Sequence, residues 1–137
     1  MTAKEYLSQA WKIECEIRVR QSEIEAMRAS LHGRSQKSGG IGSQPADNSI
    51  EKAICKVIDR ERELDQEIGR LVAMKSEIAC LIDRVPDARL RELLVRRYLS
   101  FEKWDHIAAQ MHTDIRWIFR LHDRALGVVG RLMKTDH

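Results

Sequence analysis

Cysteine is sparse in this 137-residue chain: Cys15, Cys55 and Cys80 are odd in number and widely separated. None forms a CxxC pair or lies near a histidine at metal-ligand spacing, which argues against a disulfide framework or a thiolate metal site. Glycine and proline are few, at seven and two, and β-branched runs are scarce. No apolar run is long enough to cross a bilayer, and no charged-then-apolar leader pattern stands at the N-terminus. A soluble, cytoplasmic protein with reduced cysteines and no membrane partner is expected. Catalysis lacks its parts as well. The glycines of SGGIGS (38–43) do not lie between a strand and a helix, so they do not make a phosphate loop. No Ser or Cys has an evident base, and His106 and His112 lack HExxH-type spacing. Neither an enzyme, nor a cofactor, nor a metal site is expected.

Charge is what the chain has in quantity, at a third of its residues, with a net value of +3. Acidic and basic side chains alternate along most of the sequence, as on solvated, ion-paired helix faces. The surplus is local: from Pro86 onward there are ten basic against seven acidic side chains, while the residues before it balance. A polyanionic surface would be met by that end.

Three regions follow from the patterning. From Ala3 to Leu31, Tyr6, Ala10, Ile13, Ile17, Ile24, Met27 and Leu31 keep a 4-3 repeat, interrupted by Arg20. That period makes the narrow seam of a coiled coil. Residues 33–48 are Gly-, Ser-, Gln- and Pro-containing without apolar periodicity, and are expected to form a flexible connector. In the helix expected from Ile50 to about Arg84 a second seam runs through Ile54, Val57, Leu64, Ile68, Leu71, Ile78, Ile82 and Val85, interrupted by Glu61 and Lys75. The interruptions set register or snorkel to water. Two such helices joined by a connector predict a long antiparallel, coiled-coil-like hairpin over 1–85. Its flanking apolar residues Leu7, Trp11, Ile58 and Val72 suggest a second copy against it, hence a homo-oligomer, with a dimer favoured.

Pro86 ends the second rod. Over 86–137 the pattern shortens. Leu90, Leu93, Leu94 and Tyr98 make one helix face; Trp104, Ile107, Ala108 and Met111 make the next. His112-Thr113 reads as a tight turn, and Asp114 as the cap of a helix running from 114 to about 133. Ile118, Leu121 and Ala125 form its inner stripe, and Arg116, Arg120 and Arg124, one turn apart, its outer one. A helix-turn-helix whose second helix is basic outside and apolar inside suits the major groove. His122 is read as a polar surface position, and Trp11 and Trp104 as core or seam residues.

LRELLVRRY (90–98), FEKWDHIAAQM (101–111) and IRWIFRLHDRAL (115–126) resemble region four of bacterial sigma factors, which reads the upstream promoter element. Over nearly its full length the chain is similar to small phage and prophage sigma-like, late-transcription-regulator-like proteins of Gram-positive bacteria. The resemblance implies an all-α fold and a transcriptional regulator of double-stranded DNA. It places Ile115, Arg116, Phe119 and Arg120 at bases, and Arg124 with Lys103 near phosphates. Trp117 would touch thymine methyls or a protein, and Asp114 and Asp123 complete the expected DNA-facing set. The family's turn usually has glycine where His112 stands, and a Ser or Thr cap where Asp114 stands. RNA polymerase is a further expected partner. Two rival readings accompany this one: docking on polymerase or a sigma factor without DNA contact, and a phage DNA-packaging recognition subunit.

Overall fold

A computed structural model describes the backbone of residues 1–37 and 47–135, and side chains at 1–32 and 49–135. Among the described residues the chain is all-α. In order come α1 (Ala3–Lys37), α2 (Asp47–Asp83), α3 (Ala88–Leu94), a π-helical turn (Val95–Leu99), α4 (Trp104–Gln110) and α5 (Ile115–Thr135).

The helix starts follow from local chemistry. Thr2 and Glu5 form a reciprocal capping box at α1: the Glu5 N–H donates to Thr2 Oγ1 at 3.2 Å, and the Thr2 N–H donates to Glu5 Oε2 at 3.0 Å. Asp87 caps α3, its carboxylate accepting from the Arg89 and Leu90 N–H groups at 2.9 and 3.4 Å. α1 runs past the expected end at Leu31 to Lys37, and α2 begins at Asp47 rather than Ile50. Of the connector expected over 33–48, residues 38–46 lie outside the described residues.

The described chain divides into two compact units, and α1 and α2 contribute to both. This division does not follow the expected partition at 85/86. The first unit joins Met1–Glu14 to Ala73–His137. Its core draws on every helix: Leu7 and Ala10 of α1, Ile78 and Ile82 of α2, Leu93 and Leu94 of α3, Ile107 of α4, and Ile118 and Val129 of α5 are buried. The short helices could not close a core alone, and the ends of the two long ones supply what they lack. Lys75 donates to Glu14 at 2.8 Å. Trp11 remains half-exposed instead of closing the core as expected, its ring packing edge-to-face on Phe101 at 4.9 Å.

The second unit, Cys15–Val72, pairs the remaining lengths of α1 and α2. Three cross-helix ion pairs, Arg20–Glu67, Glu23–Arg60 and Arg28–Glu61, set the two segments antiparallel. Ile17, Ile24, Leu64 and Leu71 are its buried seam. The polar interruptions at Arg20 and Glu61 are thus ion-paired across the helices. Hydrogen bonds from Arg28 and Arg20 hold the Glu61 and Glu67 carboxyls below the usual carboxylate range. Val19, Ile58 and Val72 are exposed, and so is Ile54, which its spacing had placed in the seam.

Candidate nucleic-acid interface

The candidate interface is built from α3 outward. Leu90, Leu93, Leu94 and Tyr98 are buried as their spacing requires. The chain then widens into a π-helical turn, closed by the Ser100 N–H on the Val95 carbonyl at 2.9 Å. Phe101 follows in the left-handed region at φ 57°, a rare conformation for a bulky residue. It is held from both sides: the Glu102 N–H donates to the Arg96 carbonyl, and Arg97 Nη1 donates to the Glu102 carbonyl, both at 2.9 Å. The Arg97 guanidinium also covers Trp104 at 4.4 Å from the ring centroid. Nothing in the sequence flags Phe101, because its conformation is imposed by these neighbours.

Between α4 and α5 the chain turns at His112, with φ 52°, a left-handed backbone that glycine adopts more readily. The Thr113 N–H donates to the Ala108 carbonyl at 2.9 Å, and Arg89 Nη2 donates to Thr113 Oγ1. Asp114 starts α5: its carbonyl accepts from the Ile118 N–H at 3.0 Å and its carboxylate accepts from the Arg116 N–H at 3.4 Å.

α5 has a clean division of faces. Ile118, Leu121, Ala125 and Val129 are buried, whereas Arg116, Arg120, Asp123 and Arg124 are exposed. Among the described residues none of the three guanidiniums is held in an ion pair. Trp117, 37% exposed, gathers two of them, Arg120 and Arg124, at 5.8 and 5.5 Å from its ring centroid. At about 100° per residue Ile115 and Phe119 flank the opposite edge of the arginine face. They are 38% and 44% exposed, and Phe119 packs edge-to-face on Trp104 at 5.3 Å. Phe119 is therefore anchored by a neighbour, and Trp117 is the aromatic side chain that joins the cations. Lys103 is exposed, on the residue that precedes α4.

His122 overturns its expected surface position. It is buried at 7% exposure, and its Nε2 shares a 2.6 Å hydrogen bond with the Tyr98 hydroxyl. Trp104 meets the imidazole edge-on at 4.6 Å. Burial, with the Lys4 and Arg97 charges adding and Asp123 opposing, pushes the imidazole down to about 4. Burial likewise raises the Tyr98 phenol. The pair is a neutral polar link between the turn after α3 and the inner face of α5. A sequence signal existed: His122 is the i+4 neighbour of Ile118, and 118, 122, 125 and 129 follow one apolar stripe.

Among the described residues no group of His, Cys, Asp and Glu could hold a metal ion, and no helix is long and apolar enough to cross a membrane. Cys15, Cys55 and Cys80 are free. Comparison with protein-family models, curated proteins and solved structures finds no match to this chain.

Proposed function

We propose that this chain is a sequence-specific, double-stranded-DNA-binding transcriptional regulator of the phage sigma-region-four-like kind. In this reading α4 and α5 are a helix-turn-helix, and α5 enters the major groove. Residues 1–85 form a coiled-coil-like hairpin that pairs two copies. The observation that carries the reading is the face of Arg116, Arg120 and Arg124: exposed, free of ion pairs among the described residues, and backed by a buried apolar stripe. Arg116 and Arg120 pair with guanine O6 and N7, each good bidentate pair being worth about 1–3 kcal/mol of discrimination. Asp123 accepts from a cytosine amino group. Arg124, braced by Trp117, meets phosphate, as does Lys103. Dimerisation through the exposed apolar residues Ile54, Ile58 and Val72 gives two reading helices and an operator of repeated half-sites.

The test is a series of gel shifts at several salt concentrations. Arg116→Ala and Arg120→Ala each relax preference at one base position, whereas Arg124→Ala weakens binding to every duplex and flattens the salt dependence. If Arg116→Ala binds every DNA as the unsubstituted protein does, the reading is wrong. A second reading is favoured by the exposure of Ile115, Trp117 and Phe119 on the first turns of α5. In it these side chains dock on RNA polymerase, and polymerase is captured by a chain that retards no DNA.

A further inference from the structure

The cationic face of α5 is longer than a groove is wide. Beyond Arg124 the same face continues through Arg131 and Lys134, both exposed and, among the described residues, outside any ion pair. At about 100° per residue both lie within roughly 40° of the mean direction of Arg116, Arg120 and Arg124. α5 thus carries five basic residues and a single acid, Asp123.

The helix rises about 1.5 Å per residue, so Arg116 to Arg124 covers roughly 12 Å, about the width of the major groove. Arg131 and Lys134 lie a further ~10 and ~15 Å along the axis. They cannot share the base edges that Arg116 reaches, and they fall where the flanking sugar–phosphate strand runs. Between the two cation groups Gly127 is exposed and lies within about 20° of that mean direction, with nothing near the space a Cβ would fill, so a strand can approach the helix backbone closely there.

We infer that Arg131 and Lys134 form a second, sequence-blind contact to the DNA phosphates, separate from the reading arginines. The inference rests on the DNA-binding reading and divides α5 into a reading half and a clamping half.

The experiment compares the unsubstituted protein, an Arg116→Ala/Arg120→Ala variant and an Arg131→Gln/Lys134→Gln variant. Each is titrated with a duplex selected from random sequence and with an unrelated duplex, over about 50–200 mM salt. Glutamine keeps helix propensity, and circular dichroism checks the fold. Losing two phosphate contacts lowers the slope of log affinity against log salt by about 1.8, so affinity falls about twelvefold less over that range. Preference for the selected duplex stays unchanged, and Arg131→Lys/Lys134→Arg restores the slope. An unchanged slope in the glutamine variant, with binding lost in Arg116→Ala/Arg120→Ala, overturns this inference alone. No binding to any duplex by the unsubstituted protein overturns both this inference and the function it rests on.

Discussion

Acid should loosen the C-terminal helices through a single imidazole. His122 is buried against Tyr98 and Trp104, with Lys4 and Arg97 as the nearby cations and Asp123 as the nearby carboxylate. In the folded chain it takes up a proton only near 4, whereas an exposed histidine does so near 6.5. The unfolded chain therefore binds the proton first as pH falls. The stability this neutral site contributes is complete above about 6.5 and is lost progressively toward 4. At 1.36 kcal/mol per unit, the whole loss is about 3 kcal/mol, and about 2 kcal/mol of it falls between about pH 7.5 and pH 5. Urea unfolding at both pH values, for the unsubstituted chain and for His122→Gln, isolates this contribution, because all other titrating groups are shared. The unsubstituted chain should lose about 2 kcal/mol more than the variant. Equal losses, or an imidazole resonance titrating near 6.5, would refute the reasoning.

Two further substitutions probe the frame of the proposed interface. His112→Gly removes the cost of a left-handed backbone at φ 52° and should raise stability by about 0.5–1 kcal/mol, read as a higher thermal midpoint. Ile118→Ala empties a fully buried position under the arginine face and should cost about 2–5 kcal/mol in chemical denaturation. A loss below about 1 kcal/mol would mean that the inner stripe of α5 is not tightly packed.

Much of the all-helical frame was legible because it is periodic. The seam through Ala10, Ile13, Ile17 and Ile24, and the stripe of Ile118, Leu121 and Ala125, are buried as their spacing demands. Asp114 and His112 were readable from cap and turn chemistry. Features made by tertiary neighbours left no periodic trace. Phe101 adopts its φ because Arg96, Arg97 and Glu102 bracket it, and Trp11 takes up Phe101 from a distant part of the chain. The burial of His122 is not legible in the sequence, because a polar residue on an apolar stripe is usually a border position. Here Tyr98 supplies the partner that makes its burial affordable. The division into units was not legible either, since the long helices carry the same seven-residue spacing through both.

The charged exceptions in the paired segments of α1 and α2 have a consequence for alignment. An apolar seam that repeats every seven residues looks nearly the same after one helix slides by a repeat. Sliding α2 one way would bring Arg60 to the place of Glu67, opposite Arg20. Sliding it the other way would bring Glu67 to the place of Arg60, opposite Glu23. Like charges collide in both directions, and Arg28 loses Glu61 to an isoleucine, Ile54 or Ile68. The greasy residues supply cohesion, while a few charges on the flanks choose which of several near-equivalent matings the two helices keep.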